Sequence, residues 1–201
     1  MKRLVLFSIL ISLFLHFGYA QLPKLIPYRE FDKWGFCDST KKIVIPLKYD
    51  AVRLFSEGFA AVGVNGKYGF INEKGEEVMP LEYDKVTDFS EGAAVFSIDG
   101  YVGFIDTANK KIIAAKYDNA ASFNEGLGKI VYSGLVGFVD KKGNEVIKPI
   151  YDEAEFFYHG FTIVTKNKKQ GMLNIKGELI VALKYDYISK SCWWICSSIF
   201  G

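Results

Sequence analysis

Apolar residues along this chain come in short runs, separated roughly every 6 to 10 positions by Gly, Asn, Asp or Lys-Gly turn signals. An amphipathic helix needs about 10 uninterrupted positions, so the pattern predicts strands joined by turns. It also repeats. Tyr49-Asp50, Tyr83-Asp84, Tyr117-Asp118, Tyr151-Asp152 and Tyr185-Asp186 recur with a strict period of 34, and Gly35, Gly69, Gly103, Gly137 and Gly171 keep the same spacing, as do Gly58, Gly92, Gly126 and Gly160. Such a period also fits helical hairpins, but the content of the unit selects strands. Phe59 to Val64 is a β-favouring run followed by Asn65-Gly66, and later units place Asp99-Gly100 and Ser133-Gly134 there. Such pairs supply the positive φ angles of a two-residue hairpin turn. Tyr68-Gly69-Phe70-Ile71 reads as a second strand. Lys74-Gly75, Ala108-Asn109, Lys142-Gly143 and Lys176-Gly177 then mark a second turn, and Glu77 to Met79 a third strand.

The expected fold is all-β. Tandem 34-residue, three-stranded antiparallel units stack as an open β-solenoid or superhelical array, with a propeller-like closed ring as the alternative, in which the Tyr-Asp linker could add a fourth strand. Stacking is required because three short strands cannot cover one apolar face by themselves. Val62, Phe96, Ile130 and Val164 are the predicted internal positions, flanked by the small Ala60, Ala94, Gly128 and Thr162. The mid-strand glycines cost backbone entropy, so their recurrence predicts a close approach by another backbone or a ring. The recurrent Tyr is expected to bury its ring and find a partner for its hydroxyl. The Asp after it is expected to accept hydrogen bonds from a following turn. The units fall at about 21–54, 55–88, 89–122, 123–156 and 157–190. Pro27 in the first strand suits a sheet edge, so Gln21 to Lys33 reads as a cap.

Composition adds the destination. Lys2 and Arg3 precede an apolar run from Leu4 to Phe17, and Gly18-Tyr19-Ala20 offers small residues at a cleavage site. Residues 1–20 therefore read as a secretory signal peptide, the run being shorter than the roughly 20 residues that span a bilayer. The expected location is secreted, periplasmic or cell-envelope, with no membrane span after cleavage. Of 25 Lys and Arg, two lie in that leader, and the rest balance 23 Asp and Glu. A balanced chain with no basic face argues against nucleic acid as a partner. Lys166-Asn167-Lys168-Lys169 is read as a solvated turn. Cys37 stands where other units have Ile71, Ile105, Val139 and Leu173, and is read as a small core residue. Cys192 and Cys196 sit in an irregular tail, residues 191–201, and pair only if the backbone there turns tightly. That tail reads as a cap, a docking patch or the end of an interrupted frame.

The string Phe-x-Glu-Gly, strand, Asn-Gly-Lys-aromatic-Gly-Phe-Ile-Asn/Asp, x-Lys-Gly, Ile/Val-Pro and Tyr-Asp resembles the WG-containing repeat of bacterial proteins, best over Phe55 to Val86. The resemblance covers about five units. Trp-Gly itself occurs once, at Trp34-Gly35; Tyr68, Val102, Val136 and Gln170 precede the later glycines. The resemblance implies a β-repeat array serving as a binding or scaffolding module, with no catalytic residues to carry over.

Residue chemistry points the same way. Outside the leader there is one histidine, His159, in the place held by Glu57, Glu91 and Glu125, where it reads as a turn residue. A Ser-His or Cys-His nucleophile and a His-rich zinc site both need more. No EF-hand loop or phosphate-cradling Gly-Lys-Ser/Thr motif is present. Glu57, Glu91, Glu125 and the five Asp after Tyr recur with the repeat, whereas a glycoside hydrolase needs one asymmetric carboxylate pair. The sequence thus predicts no catalytic, cofactor or metal residues, and no cofactor. The non-repeated aromatics Tyr28, Tyr101, Tyr132, Phe156 and Tyr158 are the best binding candidates. The expected function is an exported, non-catalytic binding or scaffold module of the cell envelope, its partner a protein or a glycan. The rival is a carboxylate-dependent glycan hydrolase.

Overall fold

The computed structural model describes residues 24–189, so the leader-like segment and the tail with Cys192 and Cys196 lie outside the described residues. Within that range the chain forms β-strands and no helix. The first sheet is a three-stranded meander of β1 (Ile26–Glu30), β2 (Lys33–Cys37) and β3 (Ile43–Tyr49), with Pro27 in the edge strand. The second is four-stranded: β4 (Ala51–Val52), β5 (Phe59–Val64), β6 (Lys67–Asn72) and β7 (Glu77–Tyr83). The third repeats it with β8 (Lys85–Val86), β9 (Ala93–Ile98), β10 (Tyr101–Asp106) and β11 (Lys111–Tyr117). The fourth comprises β12 (Asn119–Asn124), β13 (Leu127–Tyr132), β14 (Leu135–Asp140) and β15 (Glu145–Tyr151). The fifth comprises β16 (Glu153–Ala154), β17 (Phe161–Lys166), β18 (Lys169–Asn174) and β19 (Leu179–Tyr185).

Two features go beyond a three-stranded unit. The residues after Tyr-Asp form a fourth strand, because the Asp N–H reaches the next hairpin: Asp50 N donates to Gly63 O at 2.8 Å and Asp84 N to Ser97 O at 2.9 Å. The third strand also runs past Met79 to Tyr83 across a bulge. Phe70 pairs with Met79 and Tyr68 with Tyr83, so Gly69 alone spans three β7 residues. That bulge explains the recurrent glycine. A Cβ on Gly69 would stand 2.5 Å from Met79 O, and one on Gly103 would stand 2.4 Å from Ile113 O. The hairpin turns follow the expected chemistry, with positive φ at Asn65-Gly66, Asp99-Gly100 and Ser133-Gly134. Asn167-Lys168 adopts the same turn between β17 and β18, as expected for that polar run.

Sheets two to four each bury both faces between neighbours. Side chains alternate along a strand, so Ala60 and Val62 pack back on Phe36 and Ile45 of the first sheet, while Ala61 packs forward with Phe89 and Phe96. The same alternation gives the clusters between sheets three and four (Val95, Phe104, Ile130) and four and five (Leu127, Phe138, Val164). Phe36 meets Phe55, Phe70 meets Phe89, Phe104 meets Phe123 and Phe138 meets Phe157, with ring centroids 4.8 to 5.0 Å apart. The Phe that opens each Phe-x-Glu-Gly is therefore the peg joining one sheet to the previous one. Val62, Phe96, Ile130 and Val164 are all buried, and Cys37 is a buried thiol.

The recurrent Tyr only partly meets expectation. Tyr117 donates its hydroxyl to Glu145 Oε1 at 2.9 Å. Tyr83 is fully buried with no partner for its hydroxyl, because the place of Glu145 is taken by Lys111, which pairs with Glu82 at 3.5 Å. Burial, aided by the Glu82 carboxylate, pushes the Tyr83 phenol up to about 12.

Candidate functional site

Strand direction gives the stack two rims. One carries the two-residue hairpin turns; the other carries the Phe-x-Glu-Gly turns and the loops into the third long strand of each sheet. The Glu carboxylates are consumed on the second rim. Glu57, Glu91 and Glu125 hold φ near +52° at the turn and reach the following unit. Glu57 accepts Gly92 N–H and Glu91 accepts Gly126 N–H, both at 2.8 Å, while Glu125 accepts His159 and Gly160 N–H at 2.7 Å. His159 keeps the turn, with φ 50°. Burial works to raise the Glu91 carboxyl, but the Gly126 N–H and the Lys141 ammonium outweigh it and hold the group below its ordinary range.

On the hairpin rim the Asp after Tyr closes the next turn. Asp50 accepts Asn65 N–H at 2.7 Å and Lys33 Nζ at 2.6 Å, and the lysine hydrogen bond, then the turn amide, lowers its carboxyl. Asp84 repeats this with Lys67 and Asp99 N–H, and Asp186 pairs with Lys169. This Lys–Asp rail breaks at sheets three and four. Tyr101 and Leu135 occupy the lysine's place, so Asp152 retains only Asn167 N–H, at 2.7 Å, and the Asp118 carboxylate has no partner among the described residues. Tyr101 opens β10 with 52% of its surface exposed, and Tyr132 closes β13 with 50% exposed. Tyr132 stands edge-on to Tyr117, centroids 6.2 Å apart. Lys116 Nζ lies 4.8 Å from the Tyr117 ring.

Of the five aromatics singled out from the sequence, the structure thus brings Tyr101 and Tyr132 to one rim and leaves the others elsewhere. Phe156 lies under the Lys129 ammonium at 4.3 Å, in the joint between sheets four and five. Tyr158 stacks edge-on with His159 on the other rim, and Tyr28 belongs to the edge strand of the first sheet. The expectation that the Asp after Tyr accepts from a following turn holds at Asp50, Asp84 and Asp152 and not at Asp118 among the described residues; the departure from Lys at positions 101 and 135 is visible once the units are aligned. Also unforeseen is a cavity of about 350 Å³ on the Glu rim, between Gly92, Asp106, Lys110 and Ile112 of the third sheet and Lys141 and Lys142 of the fourth. Among the described residues no group of three or more His, Cys, Asp or Glu is placed to hold a metal ion.

The model of the WG containing repeat matches residues 34–68, 68–101, 103–134, 137–169 and 171–190. The chain belongs to this family. No curated protein matches this WG-repeat chain in sequence. Among solved structures its repeated sheets resemble propeller-like proteins. A eukaryotic initiation factor aligns with TM-score 0.52 and 11% identity, over 81% of this chain and 52% of that one. Hsv2 of Kluyveromyces lactis aligns with TM-score 0.49 and 10% identity, over 78% of this chain and 58% of that one. The WG-repeat chain therefore spans between half and three fifths of these two proteins, and the likeness to the initiation factor is one of fold alone.

Proposed function

We propose that this WG-repeat protein is an exported, non-catalytic binding module of the cell envelope that captures a protein partner on its hairpin rim at sheets three and four. The observation that carries this reading is the break in the Lys–Asp rail. There, two lysine positions hold Tyr101 and Leu135, Tyr132 joins them, and Asp118 is left unpaired. Protein interfaces are enriched in Tyr and depleted in Lys relative to the rest of the surface, and an unpaired carboxylate at the edge suits an Arg or Lys of the partner. Export is supported by the basic start, apolar run and Gly-Tyr-Ala of residues 1–20. The non-catalytic reading is supported by the Glu ladder, whose carboxylates serve backbone amides.

The test compares the protein with a Tyr101→Ala, Tyr132→Ala double variant. Envelope proteins retained by the wild type are identified, and the affinity of each is measured by biolayer interferometry. The expected result is a partner whose affinity falls about 30-fold or more in the double variant, as for central aromatic anchors, with the urea midpoint unchanged. Equal affinity for both forms overturns the site. A glycan hydrolysis rate abolished by one Glu or Asp substitution overturns the non-catalytic reading.

A further inference from the structure

The joints between successive sheets are built from the same repeat positions, so each brings equivalent residues together on the Glu rim. Non-repeated residues make these joints electrostatically different. Between sheets one and two the positions hold Lys24, Asp38, Lys42, Glu73 and Lys74, with Lys24 already paired to Glu73; between two and three, Asn72, Glu76, Thr107 and Ala108. Between four and five they hold Asp140, Asn144, Ile175 and Lys176. The first set carries one net positive charge, the second is negative and the last is neutral. Between sheets three and four, Asp106, Lys110, Lys141 and Lys142 give a net of two positive charges around the cavity of about 350 Å³.

We propose that this crevice is a binding site for a compact multivalent oxyanion of sugar-phosphate size. Lys110 lines it from sheet three and Lys142 from sheet four, and neither ammonium has a carboxylate within 4.0 Å among the described residues. The nearby acids are already engaged. Asp106 Oδ1 accepts the N–H groups of Ala108 and Lys110 at 3.0 and 2.8 Å, closing its own loop. Asp140 does the same for Lys142 and Asn144. Glu57 sits on Gly92 N–H, and Glu91 pairs with Lys141 at 3.2 Å. Two like charges lining one crevice repel, an anion bound between them relieves that repulsion, and a shared anion also ties sheet three to sheet four. The volume falls at the small end of ordinary ligand pockets, matching one sugar ring with its phosphate rather than an extended chain. Ile112 supplies an apolar patch for the ring, while the lysines select the charge. This site lies at the opposite ends of the strands from Tyr101 and Tyr132, so it stands or falls separately from the proposed protein contact.

The test titrates pyrophosphate and glucose 1-phosphate, with glucose as the neutral control, into the purified protein at low salt, where screening is weak. Binding is followed by amide chemical shifts, and the same titrations are run on a Lys110→Gln, Lys142→Gln variant and on a Lys74→Gln control at the first joint. The expected result is saturable binding of both phosphates, with shifts confined to residues 91–93, 106–112 and 141–143. Glucose shows none, the double variant weakens binding at least tenfold with an unchanged urea midpoint, and the control binds as wild type. Weakening on raised salt follows from the charge-pairing origin. No saturable shift, shifts spread evenly over all four joints, or equal binding by the double variant overturns the site. Vesicles of phosphatidylcholine with phosphatidic acid as the minor component are the second arm: co-sedimentation without phosphate binding in solution overturns the small-molecule reading in favour of a lipid surface.

Discussion

Gly103→Ala tests the bulge that organises every sheet. The added Cβ would stand 2.4 Å from Ile113 O and 2.9 Å from the carbonyl carbon of Ala114, where ordinary contact begins at 3.4 Å. One of the two strands must therefore move by about 1 Å. Neither has room, because Phe104 and Ile105, next along β10, are fully buried on opposite faces of the sheet. Overpacking of this kind costs about 1–3 kcal/mol, and opening one ladder hydrogen bond adds about 1 kcal/mol. Alanine returns about 0.5–1 kcal/mol by restricting the unfolded chain. The net is a loss of roughly 1–3.5 kcal/mol, a fall of about 0.5–1.8 M in the urea midpoint for a slope near 2 kcal/mol/M.

The control is Gly63→Ala, in which the new Cβ meets the Tyr68 ring at 2.9 Å. A ring can turn aside where a backbone carbonyl cannot, so the expected loss is below about 1 kcal/mol. Position in the stack matters as well. A stack of this kind is stabilised by nearest-neighbour joints, so Gly103→Ala in the middle sheet weakens two joints, whereas Gly171→Ala, with Val181 O at 2.6 Å, loosens mainly the fifth sheet. Urea melts followed by far-ultraviolet circular dichroism give the midpoints, and hydrogen exchange locates the loosened sheet. Equal midpoints for Gly103→Ala and Gly63→Ala, or exchange that rises uniformly in all five sheets for either bulge variant, would refute the close-approach account.

The two tyrosines of the repeat should answer oppositely to Phe. Tyr117→Phe loses about 1–2 kcal/mol with its bond to Glu145, while Tyr83→Phe is neutral to about 1 kcal/mol stabilising because it removes a buried hydroxyl without a partner, both read as urea midpoints. Glu91 has a folded-state pKa held below its ordinary 4.5, so its contribution is present above the unfolded value and lost as pH falls through the folded one. The wild-type midpoint should therefore fall more steeply below about pH 4.5 than that of Glu91→Gln, and parallel pH profiles would refute the ladder's role. Lys129 stands at the repeat position of Ala61, Val95 and Ile163, in a joint between sheets, so Lys129→Ile should raise the melting temperature by a few degrees. A drop on that substitution would mean that the ammonium over Phe156 contributes more than the apolar surface replacing it.

The strands, turns and stacking were legible because each local rule agreed with the period. Asn65-Gly66 fixed a hairpin turn, and the alternation around Val62 fixed which side chains face each neighbour. The fourth strand was harder to read, since Ala51–Val52 is very short and its pairing depends on Asp50 N reaching Gly63 O, on the far side of the next turn. The extension of β7 past Pro80 was hidden because proline and a following turn-like Tyr-Asp look like a strand end. Nor could the unpaired Tyr83 hydroxyl be foreseen, because its loss depends on Lys111 replacing an acid in a neighbouring strand. Of the candidate sites, Tyr101 and Tyr132 were legible as two of five non-repeated aromatics, though not their meeting on one rim. The lysine crevice was not, because Lys110 and Lys142 belong to different repeat units and become neighbours only when the sheets stack.

In a stack of equivalent sheets, physical necessity fixes the repeated positions and leaves the exceptions free to vary. Gly103 must be glycine for the same reason as Gly69, and Glu91 must cap the next turn for the same reason as Glu57. Neither identity can distinguish one joint from another, so neither can create a single site. Asymmetry has to come from residues that the stacking rules do not reach, and in this chain much of it gathers on sheets three and four. They lack the rail lysines, at Tyr101 towards Asp118 and at Leu135 towards Asp152, and on the Glu rim they set three lysines against one acid around the cavity. The departures are opposite in sign as well as in place: positive charge is withdrawn where the tyrosines are exposed and left in excess where the cavity opens. Returning lysine to both places, by Tyr101→Lys and Leu135→Lys, should therefore restore the Lys–Asp rail and abolish partner capture while leaving phosphate binding in the crevice intact. Loss of both activities together would show that the two rims act as one site rather than two.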